Sequence, residues 1–479
     1  MRAYLTFLLS IFGLGAALLA AVPKPNIIFI LADDLGYGEL GSYGQTQIHT
    51  PNLDRLAAEG MRFTQFYAGN TVCAPSRSVL MTGLHMGHTR VRGNAGPANV
   101  IAQTLRSGDV TVARVLQQTG YATGLIGKWG LGEAGSEGEP RRQGFDHFFG
   151  YLNQTHAHNH FPAFLWRNGE RVLLPNVVTP VGEVAGAGYA TKRVAYSSDL
   201  FAAETLEFIG RHRDRPFFLF NALVTPHANN ERSRVLGDGN EVPDYGRYAD
   251  RPWKDAVKGH AAMITRLDRD VGALLEELKR LGLDERTLVM FSSDNGPHRE
   301  GGPDYDPAFF KASGPLRGIK RDLTDGGIRV PLIARWPGQI PAGVVSPHVS
   351  YFGDMMATWS ELSGAKLPAN LDSRSLVPTL LGRGTQLKHD HLYWEFYEKG
   401  VTQAVLLGDR WKGIRLAGTD APIALFDLAS NLAENPDVAA QHPARVQQIA
   451  EIMRTAHVDN EHWNFSLPNR SKAAAAPAP

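Results

Sequence analysis

The chain has 479 residues, with 49 basic against 48 acidic side chains and a formal charge of +1, so it lacks the electrostatic footprint of a nucleic-acid binder. Its single cysteine excludes an internal disulfide framework. Fifty glycines and 29 prolines fit a loop-rich α/β chain, and the length lets core burial alone hold the fold.

At the N-terminus, Arg2 precedes an apolar run from Tyr4 to Ala21 that ends in small residues. This is the build of a cleaved signal peptide over residues 1–22, and hence of a secreted or periplasmic protein. Left uncleaved, the run is long enough to anchor the chain in a membrane. Next, Asn26 to Ala32 reads as a buried parallel strand that ends abruptly in Asp33 and Asp34. In open α/β sheets, ligands gather at the carboxyl ends of strands, where this acidic pair would stand.

Cys73 opens the run Cys73-Ala74-Pro75-Ser76-Arg77, and the apolar spacing through Met81 predicts a helix starting at Ser78 to Leu80. No histidine within ten residues upstream offers a base to the thiol, and Arg77 accepts no proton. His85 and His88 have a metal-like spacing but read as turn and packing residues, while Arg90 and Arg92 could line a groove for an anionic ligand but read more readily as solvated or paired surface residues. A second strand, Ala122 to Ile126, leads to Lys128, Trp129 and Gly130. His156, His158 and His160 alternate along what reads as an extended stretch with all three on one face, and His160 is expected at the surface.

Further strands are predicted over Pro216 to Phe220, ahead of Thr225-Pro226-His227, and over Thr287 to Ser292, ahead of Asp294-Asn295-Gly296 and His298. Between them, Asp255 to Leu281 carries Ile264, Leu267, Val271, Leu274, Leu275 and Leu278 on one helical face. Lys320 and Asp325 precede a strand over Val330 to Ala334. Strands alternating with helices imply a largely parallel sheet covered by helices. Asp33, Asp34, Asp294 and Asn295 bring oxygen donors to one edge, a set suited to a hard cation, calcium or magnesium, over zinc. The domain reading is a catalytic unit over residues 23–385, a C-terminal subdomain of short strands and one helix over 386–470, and a disordered Ala/Pro-rich tail over 471–479.

These motifs resemble the type I sulfatases. Cys73, Pro75, Ser76 and Arg77 match the Cys-x-Pro-Ser-Arg signature that directs oxidation of the cysteine to formylglycine, and Gly120 to Gly132 follows the family's second signature. The resemblance covers residues 25 to 450. It implies an alkaline-phosphatase-like α/β sandwich with a large mixed, mostly parallel sheet and a small C-terminal antiparallel subdomain. It implies calcium on Asp33, Asp34, Asp294, Asn295 and residue 73, and a formylglycine-generating maturation enzyme as partner.

The resemblance also assigns roles. The formylglycine hydrate at position 73 attacks sulfur, a sulfo-enzyme forms, and elimination releases sulfate. Lys128 and Lys320 hold the sulfate, Arg77 orients position 73, and His227 protonates the leaving alcohol. Where the family commonly has a histidine two residues after the lysine, this chain has Gly130; His156 is the first candidate to contact the sulfate instead. His158 and His298 are candidate substrate contacts. Likeness to N-acetylgalactosamine-6-sulfatase-like sequences implies a sulfated carbohydrate substrate of galacto configuration. Other readings are a phosphodiesterase or phosphonate hydrolase of the same superfamily, a non-catalytic glycan-binding relative motivated by Gly130, and a cysteine hydrolase.

Overall fold

The strand Asn26–Asp33 (β1) is buried along its whole length in the computed structural model, which describes residues 24–398 and 400–465. Its side chains alternate between two cores: Ile27, Phe29 and Leu31 enter one, and Ile28, Ile30 and Ala32 the other. A strand apolar on both faces requires a helical layer on each side of its sheet. Those layers contain Pro51–Ala58 (α1), Cys73–Thr82 (α2), Val112–Gln117 (α3), Ser197–Arg211 (α4), Asp255–Arg280 (α5) and Asp354–Ser363 (α6). Residues of α2, α3 and α6 build the first core, and those of α1, α4 and α5 the second. The apolar face expected on α5 is buried from Ile264 to Leu278.

The sheet itself has eleven strands. Besides β1, those that position the site are Met61–Tyr67 (β2), Ala122–Lys128 (β3), His147–Tyr151 (β4), Phe217–Pro226 (β5), Thr287–Ser293 (β6) and Arg329–Arg335 (β7). Their spatial order is β2-β7-β6-β1-β5-β3-β4. Neighbours from β6 to β4 run parallel, and β7 is antiparallel to both β6 and β2. The expected mixed, mostly parallel sheet between helices is therefore present. Because β1 lies between β5 and β6, chain connections leave it in both directions, which opens a crevice at the carboxyl ends of these strands.

Two local readings need correction. Helix α2 opens at Cys73, ahead of the predicted start at Ser78 to Leu80, because Pro75 falls within its first turn, where a missing N–H costs nothing. The strand predicted over Pro216 to Phe220 continues to Pro226 and brings His227 directly to the crevice edge. The signal-peptide reading over 1–22 and the tail over 471–479 lie outside the described residues.

The expected C-terminal antiparallel unit is a four-stranded sheet of His391–Phe396, Thr402–Leu407, Trp411–Arg415 and Ile423–Asp427, covered by the helix Pro443–Thr455 through Ile449 and Met453. Besides apolar packing of Leu392, Trp394 and Phe396 into the first core, an ionic tie joins it to the large sheet. Lys412 is wholly buried; its Nζ donates to Asp325 Oδ1 at 2.6 Å and lies 3.4 Å from Glu434 Oε1. Asp325 also accepts from the Tyr67 hydroxyl at 3.0 Å, so one carboxylate joins β2, the C-terminal sheet and the segment carrying Lys320.

Removing one partner of a buried pair strands the other charge without solvent. Lys412→Met is predicted to destabilise the fold by about 3–5 kcal/mol in urea titrations. Arg410→Ala, which breaks a solvent-exposed pair with Asp427, should cost at most about 1 kcal/mol.

Candidate active site

The site begins with strand register. Asn26 pairs with Thr287 and, six residues on, Ala32 with Ser293, so β1 and β6 end level and release Asp33-Asp34 and Asp294-Asn295 side by side. The backbone seals the join: Asp294 N donates to Ala32 O at 3.1 Å, and Asp34 N to Asp294 Oδ1 at 3.1 Å. Asp34 takes a left-handed φ of 67°, a conformation Asp tolerates better than most residues. All four side chains are fully buried.

Cations close around these carboxylates. Lys128, the last residue of β3, donates from Nζ to Asp33 Oδ2 at 2.6 Å. Arg77, on α2, donates from Nε and Nη2 to Asp294 Oδ2 at 3.1 and 2.9 Å, and from Nη1 to the Lys128 carbonyl at 2.6 Å. Lys320 Nζ reaches Asp34 Oδ2 at 2.8 Å, Glu300 Oε2 at 2.9 Å and His227 Nε2 at 3.1 Å. Cys73, the first residue of α2, places Sγ 3.3 Å from Asp33 Oδ1. The structure thus brings Cys73, Arg77, Lys128, His227 and Lys320 together with all four oxygen-donor residues.

Electrostatics follow from this crowding. Burial alone would raise the Asp33 carboxyl, but Lys128, His227, Arg77 and Lys320 hold it well below the usual carboxylate range. Asp294 is pushed up to about 7 by burial and by Asp33 beside it. Asp33, Asp34 and Asp294 balance Arg77, Lys128 and Lys320, and Asn295 Oδ1 is a buried acceptor without a protein partner. An orphaned buried oxygen beside three carboxylates is a donor set that fits a hard divalent cation.

The same field disfavours thiolate. Burial and the Asp33 carboxylate raise the Cys73 thiol well above its ordinary range. His227 lies within 4.8 Å, but burial and Lys320 hold it far below the usual imidazole value, and its Nε2 is already occupied by Lys320. Both shifts run against a cysteine hydrolase, which needs a lowered thiol and a neighbouring base.

The three alternating histidines do not share a face, since His156–His158 is a turn of 3₁₀-helix and not an extended stretch. His156 is corrected from a sulfate contact to a packing residue: its ring lies 4.5 Å from Phe164 and 4.9 Å from Tyr151, and burial lowers it to about 3. His160, expected at the surface, is wholly buried and bonds through Nε2 to the His227 carbonyl at 2.8 Å. His158 does reach the site; it stacks on His227 at 4.6 Å and is held through Nδ1 by Glu231 at 2.9 Å. His298 is corrected from a substrate contact to a brace, because Nε2 bonds the Pro226 carbonyl at 3.0 Å and Nδ1 accepts from Glu300 N at 3.0 Å.

A cavity of about 200 Å³ opens over Cys73, His158, His227 and Lys320. Sequence reasoning missed Glu300, Glu231, Arg321 and Gln154 around it. Glu300 had a signal, standing just beyond Asp294-Asn295 and His298. Glu231 and Gln154 had none, because their partners come from distant segments.

Comparison with known proteins agrees with this geometry. The family model described as Sulfatase matches residues 25–365, and one described as N-sulphoglucosamine sulphohydrolase, C-terminal, matches residues 319–459. N-acetylgalactosamine-6-sulfatase of Canis lupus familiaris is 34% identical over 421 residues, covering 84% of this chain and 74% of that protein. Arylsulfatase A of Bos taurus is 36% identical over 409 residues, covering 81% and 73%. Among solved structures, Ps i-CgsB in complex with k-i-k-neocarrahexaose superposes with a TM-score of 0.76 at 26% identity, covering 94% of this chain and 96% of that one.

The raised thiol gives a prediction. Protein carrying an unmodified Cys73 should react with iodoacetamide at pH 8 at least about tenfold more slowly when native than when unfolded in urea, as read by mass spectrometry.

Proposed function

The chain belongs to the sulfatase family, and from that premise we propose that it hydrolyses sulfate esters of a carbohydrate, with residue 73 oxidised to formylglycine and calcium held by Asp33, Asp34, Asp294 and Asn295. One observation carries this reading: Cys73 lies against Asp33, at the meeting point of the four oxygen-donor residues and the cations Arg77, Lys128 and Lys320. Such a position suits a side chain whose reactive atom is an oxygen. With both groups in place, the formylglycine hydrate supplies a hydroxyl nucleophile and calcium supplies positive charge at the developing oxyanion.

The remaining work falls to this chain's own residues. Lys128 and Lys320 are the ammonium groups available to sulfate oxygens, Lys128 held now by Asp33 and Lys320 by Asp34 and Glu300. Arg77 is a positioning residue, since its donors are spent on Asp294 and on the Lys128 backbone. His227 accepts from Lys320 through Nε2; once a sulfate group draws Lys320 away, that nitrogen is free to take up a proton and pass it to the departing alcohol. The cavity of about 200 Å³ is small for a ligand pocket and fits a single sugar ring. The N-acetylgalactosamine named for the canine relative supports a galacto-configured ring. The apolar segment over residues 1–22 supports export, and the catalytic unit over 23–385 with a subdomain over 386–470 is the domain division we adopt.

The test compares sulfate and phosphate esters of the same sugars and phenols. Sulfate release is expected to exceed phosphate release, to stop after dialysis against EDTA and to return with calcium. Calcium at a hundred times its Kd should also stabilise the fold by about 2.7 kcal/mol. Faster phosphate release, or turnover indifferent to EDTA, contradicts the reading.

A further inference from the structure

Arg321, the residue after Lys320, has a left-handed φ of 76°, a conformation uncommon for any side chain other than glycine. Such a backbone is strained and persists only where its surroundings impose it. Here two hydrogen bonds impose it. Lys320 N donates to Pro297 O at 3.0 Å, and Arg321 N donates at 3.1 Å to the carbonyl of Thr71, just ahead of Cys73. The turn sends Lys320 to Asp34 and leaves Arg321 lining the cavity that also contains Cys73, His227 and Lys320.

Two carboxylates brace the guanidinium. Nη1 donates to Glu300 Oε1, and Nε donates at 2.8 Å to Oε2 of Glu398, which stands just beyond the C-terminal strand His391–Phe396. A planar fork tied at two corners loses little freedom when its third nitrogen binds. That nitrogen, Nη2, makes no hydrogen bond among the described residues, and the side chain is 33% exposed. The charge of Arg321 is already answered, because Asp34, Glu300 and Glu398 stand against Lys320 and Arg321. A further anion there would meet an excess of carboxylate, whereas an uncharged oxygen meets a directional donor. The cluster of His85, His88 and Asp372 beside α6 has no such spare group. Gly87 N donates to His85 Nδ1 at 3.0 Å, so the neutral ring carries its proton on Nε2 and offers no lone pair to a metal.

We propose that Arg321 determines substrate specificity, its Nη2–H donating to an uncharged oxygen, a hydroxyl or ring oxygen, of the sugar that carries the sulfate. This deepens the proposed function and rests on it. Sulfate is left to Lys128 and Lys320, and the sugar is read at a neutral oxygen beside it.

The test compares the best-cleaved of galactose, N-acetylgalactosamine and N-acetylglucosamine 6-sulfates with 4-nitrophenyl sulfate, which offers no sugar oxygen, in wild type, Arg321→Lys and Arg321→Gly. Glycine accepts the left-handed backbone without strain, so this variant removes the side chain and keeps the turn. Losing a hydrogen bond from a charged donor should raise KM for the sugar sulfate about 10- to 100-fold in both variants, with a change on the aryl sulfate about tenfold smaller. Lysine keeps the charge and loses the fork, so its failure alongside glycine marks geometry over charge. Equal losses on both substrates would show that Arg321 acts only by holding Glu300 and Lys320, and overturn the assignment. So would sugar-sulfate KM values within about twofold of wild type in both variants. Full rescue by lysine, or wild-type turnover of the aryl sulfate with none of the sugar sulfates, overturns it as well. A wild-type protein that cleaves neither kind of ester counts against the catalytic reading. Binding of N-acetylgalactosamine itself, followed by saturation-transfer NMR, then decides the role of Arg321: loss in both variants supports it, and retention in either, or no binding by wild type, overturns it.

Discussion

Three carboxylates stand together out of water where β1 and β6 end, and the rest of the site is arranged to make that tolerable. An isolated buried carboxylate is costly, and adjacent ones repel each other further. Arg77 from α2, Lys128 from β3 and Lys320 from the loop before β7 each answer one of them. These cations come from separate stretches of chain, so the electrostatic demand of one strand pair fixes how a helix, a neighbouring strand and a distant loop are placed. The same demand reaches the C-terminal sheet, whose Lys412 binds the Asp325 that closely follows Lys320.

This charge balance also decides which nucleophile the crevice supports. Desolvation and nearby anions raise the Cys73 thiol well above its ordinary range, and the adjacent imidazole is occupied by an ammonium group. A sulfur nucleophile would need the opposite field. An oxygen nucleophile beside a divalent cation fits the field that is present, because oxygen donors and hard cations prefer each other.

Much of this was legible in the sequence. The apolar run from Asn26 to Ala32 ending in two carboxylates, and its counterpart ending at Asp294, show the strands and where their ligands meet, because burial on both faces leaves a continuous apolar signature. The Cys73 to Arg77 run and Lys128 were found by motif. What the sequence hid was side-chain direction. His156, His158 and His160 have the spacing of an extended stretch, but the chain turns there, so only His158 faces the crevice. The contact of Gln154 with Gly130 was invisible, because no periodicity encodes contact between side chain and bare backbone. Glu300 and Glu231 were likewise hidden, since a carboxylate in a loop reads as solvated until its partner is known.

The chemical identity of residue 73 is the point on which the account turns. Mass spectrometry of the tryptic peptide spanning Cys73, taken from protein made in its own host, reads it directly. The account predicts an aldehyde at this position in active protein. An intact thiol in material that releases sulfate at full rate would contradict it.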